Sequence, residues 1–362
     1  MPRQHRGDIT AVVDGAYGSC GKGVVVNHLA KKYAVHVRVG SVQAGHSHFH
    51  ADTVFKQQVV PVGWINPKAQ LIIGRGALVS FSQLVKEVEE ILPYDPSILK
   101  RLKIDSRAGV LDDRHHMEEG GTGGDMHKRI GSTGEGVGAA RMARIRRDSS
   151  FFNLAYQSAE LYGGALWSAS DLLMDNVHHL ILGARERGEN TLLEGAQGAG
   201  LSLIHGPWPY VTSTDTNASQ MAADIGLPPR FINRTVLVVR SHPIRVAGNS
   251  GPLKNEITWA ELSKRLGKEV EEKTTVTRKI RRIGEWDDDL FMAAVRINAP
   301  TSIALMFADY INPADEGKTR FGDLSVKTKS FVKYLESMSG VPVSLIGTGG
   351  HGWKIVDRGI RL

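Results

Sequence analysis

Gly15-Ala16-Tyr17-Gly18-Ser19-Cys20-Gly21-Lys22-Gly23 lies between a short apolar run and a helix-compatible stretch. Small residues let backbone N–H groups close on phosphate oxygens, a helix N-terminus adds partial positive charge, and Lys22 adds a full one. A tight strand-to-helix turn would account for the glycines alone; the lysine at the helix start makes phosphate binding the stronger reading. The loop is not a Walker A sequence, because Gly23 follows Lys22 where a Ser or Thr would hold magnesium. Further on, Gln43-Ala44-Gly45-His46 offers a glycine carbonyl to a metal and an imidazole able to polarise or protonate a phosphoryl oxygen. Its bland alternative is a surface histidine in a polar loop. His48 and His50 invite a zinc site, set aside because no Cys or acidic partner completes a zinc spacing and because alternate positions of an extended segment are read as opposed.

Gly131-Ser132-Thr133-Gly134-Glu135-Gly136-Val137-Gly138 precedes Arg141, Arg144, Arg146 and Arg147. Hydroxyls and loop backbone beside guanidinium forks form a second candidate phosphate clamp, against a flexible loop followed by a solvated basic helix. In Glu194-Gly195-Ala196-Gln197-Gly198 the Gln197 amide can read a base edge, and Tyr210-Val211-Thr212-Ser213-Thr214 adds hydroxyl donors. Thr274-Thr275-Val276-Thr277-Arg278-Lys279-Ile280-Arg281-Arg282 sets four cations among threonines, which suits a ligand bearing carboxylates; a solvated loop is the alternative.

These segments need a frame that brings them together. Apolar runs that end in glycine or a polar turn recur at 9–14, 35–39, 70–76, 191–198, 235–242, 301–309 and 342–350, with helical patterns at 80–92, 168–188, 288–298 and 327–338. Strands buried on both faces and alternating with helices predict an α/β fold with a mainly parallel central sheet, flanked by helices and long functional loops. Ligands of such sheets gather beyond the carboxyl ends of the strands, where most of the glycine-rich turns fall. No repeat or low-complexity linker divides 1–362, so it reads as a single large domain, with a glycine- and arginine-rich loop insertion around 109–150. Composition agrees: 362 residues, 41% hydrophobic and 23% charged, exclude a mainly disordered chain, while 40 glycines without a fixed period exclude collagen. One cysteine forms no internal disulfide and no apolar leader follows the charged start, which reads as a cytoplasmic protein with no membrane partner. The net charge of +7 suits anionic partners without choosing between nucleic acid and phosphorylated metabolites.

In chain order, the loop Gly18 to Gly23, then AGH, STGEGVG, EGAQG, YVTST and TTVTRKIRR resemble the phosphate loop, switch loop, nucleotide loops and aspartate loop of the adenylosuccinate synthetase family, over about Val12 to Gly350. That family couples a 6-oxopurine nucleotide to aspartate: with Mg²⁺ and a nucleoside triphosphate the 6-oxygen is phosphorylated, and the aspartate amine then displaces phosphate. The resemblance implies that Gly18, Ser19, Cys20, Gly21, Lys22 and Gly23 hold phosphate, that Lys22 and His46 act on the transferring group with Ser47 beside them, and that Ser19 and the Gly45 carbonyl meet Mg²⁺. It assigns Ser132, Thr133, Gln197 and Thr212 to the monophosphate nucleotide, and Asp309, Gly347, Thr348 and Gly349 to the donor nucleotide. Thr275, Val276, Thr277 and Arg278 go to aspartate, in a loop whose register shifts by a residue because the usual Thr-Gly-Arg lacks its glycine. A homodimer is implied, with Arg144 preferred over Arg146 as the arginine that reaches the partner's nucleotide.

Two departures redirect the expected chemistry. Where the family has Gly-Asp-Glu-Gly-Lys-Gly, this chain has Gly18-Ser19-Cys20-Gly21-Lys22-Gly23, so the aspartate that takes the purine N1 proton is Ser19, a poor base. That loss resembles the phage-encoded branch, which uses deoxyguanylate (dGMP) and makes 2-amino-2'-deoxyadenylosuccinate, the diaminopurine precursor for DNA. The resemblance then makes Ser19 a catalytic-site residue, places the protein in a host cytoplasm, and leaves the group that deprotonates N1 unidentified. The family's Thr-Lys-Leu-Asp is here Met306-Phe307-Ala308-Asp309, so Phe307 replaces a lysine that packs on guanine, and ATP or dATP is expected to serve at least as well as GTP. The alternatives are an ordinary synthetase using inosinate, L-aspartate and GTP, and a non-catalytic nucleotide- or nucleic-acid-binding protein. The threonine-rich anion loop argues against the last, so the partners expected are dGMP, L-aspartate and a triphosphate, with no nucleic acid.

Overall fold

The computed structural model describes residues 6–120, 124–273 and 279–360. Its frame is a ten-stranded sheet in the order Leu173–Met174, Leu102–Asp105, Gln70–Ile73, Val35–Arg38, Thr191–Glu194, Ile9–Asp14, Ile232–Arg240, Ser302–Met306, Val343–Gly349, Lys354–Asp357. Every junction is parallel except the last, which is antiparallel. The mainly parallel α/β sheet expected from the apolar runs is therefore present. Ile9–Asp14 is buried along its whole length, as a central strand covered on both faces must be.

Helices cover the sheet with their apolar stripes inward. Phe81–Ile91 turns Phe81, Leu84, Val88 and Ile91 into the core and is capped by Ser80, whose hydroxyl accepts from Gln83 N. Asp288–Asn298 and Val326–Ser339 lie where the helical patterns put them, with Asp287 and Ser325 as N-caps.

Three expectations are corrected. The helix expected over 168–188 is limited to His178–Glu186, because Ala169–Leu172 makes a 3-10 turn and Leu173–Met174 joins the sheet as its edge strand. The region 109–150 is not a long loop: it carries the helices Asp113–Glu119, Asp125–Ile130 and Val137–Arg146, whose glycines serve as caps. The histidine-rich segment is regular too, forming an antiparallel hairpin of His46–His50 with Thr53–Gln57. In that strand His46, His48 and His50 share one face, since a spacing of two returns a side chain to the same side. His48 and His50 meet an aromatic cluster: His48 stacks on Phe55 at 5.6 Å and His50 meets Trp64 edge-on at 4.9 Å. Among the described residues no group of three His, Cys, Asp or Glu is placed to hold a metal ion, and no helix is long and apolar enough to cross a membrane.

Burial leaves several histidines neutral. It lowers the His36 pKa to about 4, against the bond to Ala30 O, and the His48 pKa to about 3. Both lie below the unfolded value of about 6.5, so between that pH and the folded values the unfolded chain binds more protons. Their contribution to stability is complete above about pH 6.5 and is lost as pH falls toward 4. Thermal unfolding scans across this window are expected to show a falling Tm, and the fall should shrink in His48→Phe, which keeps the aromatic packing without a titrating ring.

Candidate active site

The carboxyl ends of the central strands open into a cavity of about 1280 Å³. The strand Ile9–Asp14 delivers Asp14 beneath the first glycine loop, and the loop folds around this carboxylate. Asp14 Oδ1 accepts from the N–H groups of Ala16 at 2.9 Å and Gly18 at 3.2 Å, while Oδ2 accepts from Cys20 N at 3.1 Å and Lys22 Nζ at 2.8 Å. Burial pushes the Asp14 pKa up, but the Lys22 charge and these hydrogen bonds outweigh it and hold the carboxyl below its ordinary range. The Lys22 ammonium also donates to Gln197 O at 2.7 Å, which joins two glycine loops at one charge.

The loop's curvature is carried by Gly18 at φ 85°, Ser19 at φ 56° and Gly21 at φ 93°. Ser19 adopts the left-handed region without being glycine, at a cost of order 1 kcal/mol. Gly23 allows a close approach: a Cβ there would lie 2.5 Å from Ser47 O, so the hairpin that bears His46 seats directly on the helix start.

The second cluster is Arg38, His46 and Glu194. Glu194 is fully buried; its Oε1 accepts from Arg38 Nη1 at 2.5 Å and from His46 Nδ1, and its Oε2 accepts from Val62 N at 2.9 Å. Burial raises the Glu194 pKa, yet Arg38 and His46 outweigh it and bring it to about 2. Burial and then Arg38 lower the His46 pKa to about 4. A carboxylate and a ring nitrogen in contact need a proton between them, which puts the neutral tautomer's hydrogen on Nδ1. Nε2 is then a bare acceptor, and it is buried with no partner.

Most of the sequence-derived residues converge on this one cavity. Gly18, Ser19, Gly21, Lys22 and Gly23 line it, as do Gly45, His46, Ser47, Ser132, Thr133, Gln197, Thr212, Asp309, Gly347 and Gly349. Thr212 Oγ1 accepts from Gln43 Nε2 at 2.8 Å, tying two loops of the wall. Three residues are placed otherwise. Cys20 turns its thiol, like its N–H, to Asp14 at 3.1 Å, away from the cavity. The Thr348 hydroxyl is buried and donates to backbone carbonyls, Lys318 O at 2.8 Å and Lys354 O at 3.2 Å. Arg144 lines a separate cavity of about 450 Å³ with Arg75, Arg141 and Asp224. The second glycine loop also differs from an open phosphate nest, because the Glu119 carboxylate already accepts from the N–H groups of Gly136 at 2.9 Å, Gly138 at 2.6 Å and Ala139 at 3.2 Å. Thr275, Val276, Thr277 and Arg278 lie outside the described residues; Lys273, Lys279 and Arg281, on either side of them, line the cavity.

A family model described as adenylosuccinate synthetase matches residues 11–162 and 153–318. The chain belongs to the adenylosuccinate synthetase family. It is 36% identical over 351 residues to the adenylosuccinate synthetase of Methanococcus aeolicus, covering 96% of this chain and 98% of the relative, and 35% identical to that of Methanocaldococcus jannaschii. Among solved structures, the succinoaminodeoxyadenylate synthetase of cyanophage S-2L, bound to dGMP and dATP as an energy donor, superposes with a TM-score of 0.80 at 26% identity, covering 97% of this chain and 95% of that one. The fully ligated adenylosuccinate synthetase of Plasmodium falciparum shares the fold, with a TM-score of 0.82 at 20% identity over 97% of this chain and 100% of that one. The pattern likeness to the phage branch is thus a likeness of structure, with sequence identity below that of the archaeal enzymes. As a member of this family the chain is a carbon–nitrogen ligase that joins aspartate to a purine nucleotide.

Asp14, Arg38, Glu194 and Arg240 went unnoticed as site-building residues. Their signal is a shared position: each is the charged last residue of an apolar strand. Asp14→Asn would keep the shape and leave the Lys22 ammonium buried without its counter-ion. Breaking a buried pair costs roughly 3–5 kcal/mol, which denaturant unfolding at neutral pH will read. The difference from wild type should fade under acid: Asp14 titrates in the fold below its ordinary value of 3.8, so the pair's contribution is complete above that pH and is lost as pH falls through the lower folded-state pKa.

Proposed function

We propose that this ligase acts on dGMP, joining L-aspartate to its C6 through a 6-phosphoryl intermediate to give 2-amino-2'-deoxyadenylosuccinate. The observation that carries this reading is Ser19. It is exposed at the cavity, and the carboxylate of its own loop, Asp14, is buried beneath and bound to Lys22. The first loop therefore presents a small neutral hydroxyl and no carboxylate. A carboxylate there would accept both N1–H and N2–H of guanine and hold it unreactively; the hydroxyl does not. The ligands named for the cyanophage structure support the same substrate. The archaeal relatives support the other reading, ordinary adenylosuccinate formation from inosinate, and on sequence identity it is the better supported of the two.

In this mechanism Lys22, with two bonds to Asp14 and Gln197 O, has a third N–H for the transferring phosphoryl oxygen. His46 is held by Glu194 through Nδ1–H and offers Nε2. Negative charge arriving beside Nε2 raises the ring's proton affinity, so His46 takes up one proton from solvent with the incoming phosphate and becomes an imidazolium bonded at both nitrogens. The Ser19 hydroxyl and the Gly45 carbonyl, both exposed to the cavity, are neutral hard oxygen donors that fit a Mg²⁺ carried in on the triphosphate. When bound, that ion neutralises charge on the phosphates. Thr133, Gln197 and Thr212 would hold the monophosphate nucleotide, and the segment 275–278 the aspartate carboxylates. Arg144 lines the separate cavity and not the nucleotide cavity of its own chain, which supports a homodimer in which it serves the partner's site.

Incubation with aspartate, magnesium and either ATP or GTP, read by product mass, separates the two substrates. Deoxyguanylate is expected to exceed inosinate by at least ~10² in kcat/KM, and Ser19→Asp should depress deoxyguanylate turnover. Equal use of inosinate would return the ordinary synthetase reading. His46→Ala should lower kcat by roughly 10² or more, the scale of removing one donor aimed at developing charge; a change confined to KM would make His46 a binding residue only.

A further inference from the structure

The strand Ser302–Met306 runs out at one end of the cavity into Phe307 and Asp309, beside the glycines that close Val343–Gly349. Asp309 is 7% exposed. Its Oδ1 is buried and has no partner, and its Oδ2 stands 3.7 Å from Lys268 Nζ. A Cβ on Gly349 would lie 3.0 Å from this carboxylate, so a glycine is what lets the end of the strand pass this close to it. Phe307 is a non-glycine residue in the left-handed region at φ 62°, and its ring has the Arg240 guanidinium 4.0 Å over one face. An aromatic ring next to a carboxyl with a spare oxygen, in a wall thinned by glycines, suits the edge of a flat heterocycle that carries both donors and acceptors.

We propose that the protonation state of Asp309 selects the base of the triphosphate donor, the carboxylate reading guanine and the carboxylic acid reading adenine. This rests on the cavity being the nucleotide site of the ligase described above. Guanine presents two donors side by side, N1–H and N2–H, which a carboxylate accepts with both oxygens. Adenine presents one donor, N6–H, beside the N1 lone pair. An ionised carboxylate sets an oxygen lone pair against N1, whereas the acid donates O–H to N1 and accepts from N6–H. One side chain thus fits either base, and adenine is bound with uptake of one proton.

The surroundings place this switch in an accessible range. Burial disfavours the anion and Lys268 favours it; Glu316, which holds Lys268 at 2.7 Å, and Glu272 oppose the anion again. The balance raises the Asp309 pKa to about 6. Arg240 is directed elsewhere, to Glu272 at 2.5 Å and to Ser19 O at 2.9 Å. The neighbouring Tyr310 hydroxyl, pushed well above its ordinary value chiefly by burial, stays neutral throughout.

The test is binding of non-hydrolysable ATP and GTP analogues to the full chain with magnesium, by calorimetry, from about pH 6.5 to about pH 8.5. Phosphate ionisation affects both analogues alike and cancels in the ratio of their Kd values. That ratio, ATP analogue over GTP analogue, should rise about tenfold per pH unit, one proton being taken up with adenine alone. Asp309→Asn cannot titrate, and its ratio should be flat. A wild-type ratio that moves less than about twofold over the range, or an equally steep ratio in Asp309→Asn, would overturn the proposal. Binding reads this without turnover, so a chain that forms no succinylated product but shows the tenfold slope would reject the ligase reading and keep the switch.

Discussion

Charge cannot be left unpaired inside a protein, and here four adjacent strands at the centre of one mainly parallel sheet each end in a buried charged residue. Asp14, Arg38, Glu194 and Arg240 are all at most 3% exposed. Their partners come largely from the loops beyond the strand ends: Lys22 for Asp14, the neutral His46 ring together with the Arg38 charge for Glu194, and Glu272 for Arg240. A buried pair gains little net stability over apolar packing, because desolvation offsets much of the attraction. What it does gain is position. The first glycine loop must return to Asp14, the hairpin must bring His46 to Glu194, and the 271–273 segment must meet Arg240. The catalytic wall is thereby assembled before any substrate arrives, which is the condition for electrostatic stabilisation without reorganisation.

The same ties explain where the backbone is strained. Ser19, Gln197 and Phe307 are non-glycine residues held at φ 56°, 53° and 62°, and all three line the cavity. Ser19 O and Gln197 O are both engaged by cations, Arg240 and Lys22. These bonds offset the backbone cost and hold the two carbonyls, while the residues themselves line the cavity. Strain of this kind persists only where neighbouring contacts over-determine the conformation, and here each strained residue touches one of the buried charges.

Much of this was legible in the sequence, to a depth that depended on how local the cause was. Ile9–Asp14, Phe81–Ile91 and Asp288–Asn298 follow from apolar periodicity and caps lying within the segment itself. The convergence of Lys22, His46, Thr133, Gln197 and Thr212 followed from ordered loops at strand ends and from family resemblance. The His46–His50 hairpin did not, because its histidines read as polar, while in the fold His48 and His50 pack as aromatic rings against Phe55 and Trp64. Cys20 and Thr348 were misplaced for a related reason: a loop's sequence shows which groups can bind a ligand, but not which are already taken by the protein. Glu119 filling the nest at Gly136 and Gly138 is the clearest case, since nothing local to the glycine loop announces a carboxylate from the preceding helix.

Asp14 also bears on why position 19 is a serine. Lys22 is 4% exposed and its charge is already met by Asp14 at 2.8 Å. A second carboxylate on the same loop would compete for one ammonium, and two carboxylates sharing one cation cannot both keep low pKa values. Either the buried one would take up a proton, loosening the bonds from Ala16, Gly18 and Cys20, or the exposed one would, ceasing to be a base. A loop built around Asp14 therefore favours a neutral residue at position 19. The serine is part of the same electrostatic solution that places the lysine, and the residue at position 19 follows from how this loop holds its charge.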